Sequence, residues 1–405
     1  MRKTKNIIIG LAICFVVCGA ILFATSTFPE KNKKKTVPAW IKKNGQIYGA
    51  RPDERGPIGG GYGYKKIITN GNYYVRNIDD LRCALKAVKP GEVIFIDKDV
   101  EIDCTALVFT EKFQIKMIEG LTLASDRGFK GSKGAIIMSS HFGTNPLIHA
   151  LGPNIRITGL RLIGPDPKQR LEHHKRAFNK QRGSRKAQSK YFYAFPKSVG
   201  ISTENNALEV DNCEISGWSH TAVYLKNGNR HLVHHNYIHH NQRNGLGYGV
   251  CLGYGQSISA LIEYNLFNYN RHFIAGTGVP GSNYEARHNI QLESSLSHSF
   301  DMHGGSDRRD GTNIAGDQIS IHHNTFMNLT SRPIKIRGTP KGKAEIFNNW
   351  FVHETQNSKM AFSRPNSEEN KIIFFNNLFG EPPIGHRGLT ERQQLFPYGS
   401  VDSKL

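Results

Sequence analysis

The stretch HHNTFMNLTSRPIKIRGTPKGKAEIFNNWF, residues 322–351, carries one small pattern twice: Asn324-Thr325-Phe326 and Asn349-Trp350-Phe351. Between the two beats lie Arg332, Lys335, Arg337, Lys341 and Lys343. Working outward, the same beat recurs as DNCEIS, HHNYIH, EYNLFN, RHNIQL, HHNTFM, FNNWFV and FNNLFG. It is anchored at Cys213, Asn236, Asn265, Asn289, Asn324, Asn349 and Asn377, with spacings of 23, 29, 24, 35, 25 and 28 residues. Two positions after each anchor stands Ile or Phe, and once Gln291. A period of this size, with one polar and one apolar column, is the mark of a solenoid.

The physical account is direct. A short coil cannot bury its inward face alone, whereas coils stacked about 4.8 Å apart let each strand bond the next. An Asn at a sharp corner tolerates left-handed backbone, and its amide can bond the Asn above and below. Leucine-rich repeats would need a dense leucine pattern that is missing, and propeller blades need longer repeats. The expected fold is therefore all-β, a right-handed parallel β-helix. VIFIDKDVEIDC (93–104), LTLASDRGFKG (121–131) and NIRITGLRLIG (154–164) read as earlier coils. Residues 77–93 have helical spacing at Leu81, Leu85 and Val88, which predicts a short capping helix over the open end.

Domain limits follow. Residues 1–28 open with Arg2, Lys3 and Lys5, followed by 22 uncharged residues, Ile7–Phe28. This segment is long enough to span a bilayer and reads as a signal anchor or a cleaved signal peptide, with the folded part extracytoplasmic or secreted. Residues 29–64 read as a basic Pro/Gly linker, 65–385 as the β-helix, and 386–405 as a C-terminal tail. The basic stretch 165–197 interrupts the period and is expected to be a loop over one face. Outside the apolar segment stand Cys83, Cys104, Cys213 and Cys251, without CxxC or metal-ligand spacing. No zinc site is expected; Cys83–Cys104 is the pairing favoured if a disulfide forms, with buried free thiols the alternative.

The formal net charge is +20, a field that attracts polyanions. No nucleic-acid module accompanies it. An acidic polysaccharide is the expected partner, with membrane contact through the N-terminal segment, and the chain is expected to be a monomer. Counting from the anchors places Asp301 beside Lys335 and His303 beside Arg337 in adjacent coils, all pointing outward. These four are the candidate catalytic residues. Arg332, Arg308, Arg309, Arg364 and His272 are the candidate substrate-binding residues. Arg and Lys grip carboxylates, and His303 or a Lys depressed by cationic neighbours supplies a base. The five histidines of RHLVHHNYIHHN (230–241) read as corner residues beside stacked Asn.

Coil length, Asn stacking and the N-terminal helix resemble the pectate-lyase-like β-helix superfamily over roughly residues 65–385. SRPIKIRG resembles that group's Arg-x-Pro-x-x-Arg motif, in which an arginine takes the proton. Arg332 and Arg337 keep the five-residue separation, although Pro333 directly follows the first arginine. The resemblance implies β-elimination on a uronate polymer, with Ca²⁺ the one cofactor in view. No clear set of aspartates matches the family's Ca²⁺ arrangement; Glu293, Asp301, Asp307 and Asp310 are the nearest acidic candidates. A non-catalytic glycan-binding protein and a glycoside hydrolase are the alternatives, the latter needing paired carboxylates on the face.

Overall fold

The structure is a computed structural model that describes residues 39–380, apart from 293, 328–331, 353–361 and 364–370. Three parallel sheets of eleven, ten and nine strands run the length of a solenoid. Each coil visits the first, second and third sheet in turn, as in Ser282–Arg287, Ile290–Gln291 and Phe300–Met302. Among the described residues no helix is long and apolar enough to cross a membrane. The segments 1–28 and 386–405 lie outside the described residues.

The anchor asparagines form a continuous ladder. Asn236, Asn265, Asn289, Asn324 and Asn349 each donate Nδ2 to the Oδ1 of the next anchor at 3.0 Å, ending on Asn377. The same oxygens accept the backbone N–H of the preceding anchor, and Asn236 Oδ1 accepts that of Cys213. The left-handed residue is not the anchor, as expected, but the residue before it: Asn212, His235, Tyr264, His288, His323, Asn348 and Asn376 have φ between 47° and 55°. The division has a steric reason. The anchor must turn its amide inward into the ladder, so the bend falls on its predecessor, whose side chain points out. His235, Tyr264, His288 and His323 then stack ring on ring, 4.9–5.1 Å apart. Inward, the column two residues after each anchor stacks Phe326 on Phe351 at 4.9 Å. Gln291 interrupts this column, buried and with its amide unpartnered among the described residues.

Helix α1 (Ile78–Ala87) appears where expected, with Asn77 Oδ1 accepting from Asp80 N at 2.8 Å and Leu81 and Ala84 facing the core. A second short helix, α2 (Thr105–Glu111), was not foreseen. All four described cysteines are free. Cys83 sits on the outward face of α1 while Cys104 is buried, so the favoured pairing is not formed.

Two readings of irregular segments are corrected. The insertion is not a loop: it folds as α3 (Leu171–Ala177) and α4 (Arg185–Tyr193), which pack on each other through Phe178 and Phe192, their rings 5.2 Å apart. A few aromatics hold these helices, and the basic residues mask that pattern. The described part of the linker, 39–64, is a hairpin (Trp40–Lys43 with Gln46–Gly49) followed by an extended strap. The strap runs along the left-handed corner from the last coils back to the one that carries Asp211 and Asn212. Its contacts in order are Tyr48 Oη to Asn376, Gly49 N to Asn348 O, Ala50 N to Thr325 Oγ1, Asp53 to His235, Gly61 N to Asn212 and Tyr64 Oη to Asp211. Gly49 has φ +87°, and a Cβ there would meet Ala39 O and Thr325 Oγ1 at 2.7 Å. The glycines serve close approach, not flexibility.

Asn324→Ala should cost about 3 kcal/mol in denaturant unfolding, because it strands the Asn289 amide and two backbone groups in a dry interior. Acid should act through the outward row. Burial above all, with neighbouring imidazoles, pushes His288 from 6.5 down to about 3 and His323 to about 4. These groups bind protons more readily when unfolded, so their contribution is present above about pH 6.5 and is lost as pH falls. The slope is at most about 1.4 kcal/mol per pH unit per imidazole. The melting temperature should drop between neutral pH and pH ~5, and His288→Tyr, matching Tyr264 one coil back, should flatten the drop.

Candidate active site

The register expected from the anchors is observed: Phe300, Asp301 and Met302 pair with Ile334, Lys335 and Ile336. Asp301 stands in the outward column but is fully buried. Arg337 grips it with two parallel bonds, Nε to Oδ1 at 2.9 Å and Nη2 to Oδ2 at 2.8 Å. Three imidazoles close the remaining directions. His303 Nε2 lies 2.8 Å from Oδ2, His298 Nε2 lies 3.2 Å from Oδ1, and His272 Nε2 lies 3.6 Å from Oδ2. His298 stacks near His272 at 4.1 Å and also meets Arg337 Nη2 at 2.9 Å. Tyr248 lies parallel to His272, 5.6 Å away.

Burial alone would push the Asp301 carboxyl up; the His298 and His303 contacts and the surrounding positive charge hold it well below the usual carboxylate range. Burial holds His272 well below its ordinary value, and lowers His298 despite Asp301. Both are therefore neutral rings around an ionised carboxylate. Burial works against the Arg337 guanidinium too, but Asp301 and Asp307 outweigh it and raise its value. A charge-assisted, bidentate pair in a dry setting is the strongest form of this contact.

The expected pairings change accordingly. Arg337 does not stand free for a substrate carboxylate; it reaches back to Asp301 and to Asp307 Oδ1 at 3.3 Å. Lys335, the ladder neighbour of Asp301, has no hydrogen-bond or ion-pair partner among the described residues and is half-buried. His303 is 25 % exposed, the most open imidazole of the group. Arg332 is exposed at the entry to its strand, and Arg309 is exposed at a left-handed helix end. Arg308 is 4 % exposed and binds Asp310, Thr277 O and Ile314 O, so it fixes its own loop instead of offering a substrate contact. His272 is fully buried beneath Tyr248 and supports the cluster from inside. Arg364 lies outside the described residues, as does Glu293.

His298 and Tyr248 were missed, and Asp307, named only as an acidic candidate for a metal, pairs instead with Arg337. His298 and His303 flank Asp301 at three residues before and two after, a spacing that could have flagged the former. Tyr248 comes from two coils away and leaves no local signal.

The ring nitrogens of His272 and His298 with Asp301 form one group of donors close enough for a metal; Glu209, Asp211 and His234 form another. Neither suits Ca²⁺, which takes oxygen ligands. Imidazoles supply two of three donors in the first, and Arg337 already holds its carboxylate. In the second, Asp211 accepts from Arg156, Thr158 and Tyr64.

Three stacked parallel sheets and the asparagine ladder define a right-handed parallel β-helix protein. A family model described as "Right handed beta helix region" matches residues 192–379. No curated protein matches the chain. Among solved structures it is similar to an alginate lyase from Paenibacillus sp. str. FPU-7 (TM-score 0.42, 15% identity, covering 76% of this chain and 97% of that one). It is also similar to the Dettilon tailspike protein (TM-score 0.42, 12% identity, 74% and 57%). A third is a PL6 family alginate lyase (TM-score 0.30, 12% identity, 78% and 52%).

Arg337→Ala would leave a buried carboxylate without its strongest partner and should cost about 3–5 kcal/mol. Lys335→Ala, with no partner to strand, should change unfolding free energy by under about 0.5 kcal/mol. Paired denaturant titrations check both.

Proposed function

We propose that this protein cleaves an acidic, uronate-containing polysaccharide by β-elimination, with His303 as the proton-abstracting base. The observation that carries this reading is the ionised, fully enclosed Asp301 set 2.8 Å from Nε2 of a partly exposed His303. A carboxylate beside the buried Nε2 favours the tautomer with the proton on that nitrogen and leaves Nδ1 as the basic one. A base so oriented takes the proton on C5 of a uronate. The electron pair forms the C4–C5 double bond as the C4–O bond breaks, and the leaving oxygen takes a proton. Lys335, cationic and unpartnered among the described residues, is the group beside Asp301 that can neutralise the substrate carboxylate or protonate that oxygen. Arg332 adds an exposed cation at the strand entry.

The same geometry argues against a hydrolase. Hydrolysis needs two carboxylates that reach the sugar, whereas Asp301 is enclosed and ion-paired. The reading assigns no role to Ca²⁺: the cationic side chains do the neutralising. With the charge-free segment 7–28 ahead of the fold, we place this activity outside the cytoplasm.

Incubating the protein with a panel of polyuronates should release products with the ultraviolet absorbance of an unsaturated uronate. His303→Asn should lower that rate by about 10²–10⁴ while the protein stays folded by circular dichroism. If no polymer yields unsaturated product but some retard the protein in affinity gels, the protein is a binder and the lyase reading falls.

A further inference from the structure

A cavity of about 580 Å³ opens between the insertion helices and the turn that carries Arg243. Four guanidiniums line it, from Arg170, Arg176, Arg182 and Arg243, against one carboxylate, Asp166. Two of the four are already committed. Arg170 binds Asp166 at 2.6 Å, and Arg243 donates to the carbonyl oxygens of Phe192 and Pro196, tying the insertion to the solenoid. The other two are available. The Arg176 guanidinium has no hydrogen-bond or ion-pair partner among the described residues. Arg182 donates Nε to Arg176 O at 2.9 Å and its guanidinium carbon lies over the Tyr191 ring, 3.9 Å from the centroid, with no other partner for its remaining N–H groups among the described residues. Phe195 forms an aromatic wall, packed edge-on against His173 at 4.3 Å. His173 Nε2 is a buried polar atom in this lining, with no partner among the described residues. Burial, with nearby arginines, lowers the pKa of this ring, so it is a neutral hydrogen-bonding group.

The cavity also has a definite place. Arg243 lies in the turn before Tyr248–Leu252, and Arg271 lies at the same turn one coil on, directly before His272. His298 follows in the next coil. Coils stack about 4.8 Å apart, so Arg243, at the near side of the cavity, lies about 10 Å from the Asp301 cluster along the same edge, with Asp166 and Phe142 further back. Tyr248 bridges the interval, with Arg271 over its ring at 5.9 Å and His272 parallel to it. An aromatic floor with free guanidiniums and one neutral donor suits a sugar ring bearing an anionic group.

We propose that this cavity seats the terminal residue of an acidic sugar chain, its carboxylate on Arg176 and Arg182 and its ring against Tyr191 and Phe195. The chain then runs along the edge to His303, so cleavage proceeds from chain ends. This inference rests on the acidic-glycan reading above and adds the end-recognition subsite.

The test uses the full chain and three disaccharides of equal size, carrying uronate, sulfate ester or no charge, with binding followed by calorimetry. The uronate disaccharide should bind and the neutral one should not. Arg176→Ala/Arg182→Ala should weaken uronate binding about tenfold or more, the loss of one bidentate contact. Arg176→Ala alone, which removes no contact among the described residues, should move in the same direction at unchanged melting temperature. On polymer, the wild-type protein should release short unsaturated products from the first time points, and the double variant should give long mixed fragments. Equal disaccharide binding by wild type and double variant, or the same product lengths from both, overturns the cavity assignment and leaves the lyase reading standing. Tighter binding of the sulfated disaccharide, lost in the double variant, overturns the carboxylate as occupant. If no polymer yields unsaturated product while uronate binding still depends on Arg176 and Arg182, the cavity stands and the lyase reading falls.

Discussion

The amide ladder from Asn236 to Asn377 is the constraint on which the other features depend. Each interior Oδ1 accepts two hydrogen bonds, and each Nδ2 donates to the next oxygen and to a carbonyl of the preceding coil, as Asn289 does to Ile262 O. Nothing in the ladder is left unpaired, so a slip of one residue would strand several buried groups at once. Because strand side chains alternate, such a slip would also turn every inward residue outward. The ladder therefore fixes which residues meet across coils, and Asp301 faces Lys335 because Asn289 is bonded to Asn324.

The ladder has a conformational cost, and the strap belongs with it. Seven residues before the anchors adopt left-handed backbone, six of them His, Tyr or Asn ahead of an Asn and one, Asn212, ahead of Cys213. Left-handed backbone in a non-glycine residue costs on the order of 1 kcal/mol, and each of these corners also exposes a flat ring or amide. Residues 39–64 cover that row and bond to it from Asn376 to Asn212. One segment thereby touches many coils, in a solenoid whose coils otherwise meet only their neighbours.

What could be read in advance follows the same logic. The anchor beat was visible because it repeats, and counting ten or eleven residues from it placed Asp301 and Lys335 on the correct strands, with His303 and Arg337 just past their ends. Alternation, however, says only that a side chain leaves the core. It could not show that Asp301 would be covered again by His272, His298 and Arg337. Arg337 is long enough to reach diagonally, past its ladder neighbour, and that reach has no sequence signature. The strap and the insertion were misjudged for a related reason. Gly, Pro and Lys describe a segment's own chain, whereas its order comes from partners such as Thr325 and Phe192, which lie far off in sequence or are outnumbered locally.

Energetics set the Asp301 cluster apart from the rest of its column. In the same outward column, the preceding coil has Ala275 and the following coil has Lys335, so the solenoid makes no demand for an acid there. Enclosing a carboxylate costs several kcal/mol, and a buried ion pair rarely returns more than an apolar pair would. Stability alone would favour something like the alanine one coil back. Instead the position holds a carboxylate kept ionised by three imidazoles and a guanidinium, two of whose rings are themselves held neutral by burial. Among the three imidazoles, His303 combines the closest contact with Asp301 and the greatest access to solvent. An expensive charge set against the most accessible imidazole of the group, at a position where the fold needs no acid, is the arrangement on which the proposed base rests.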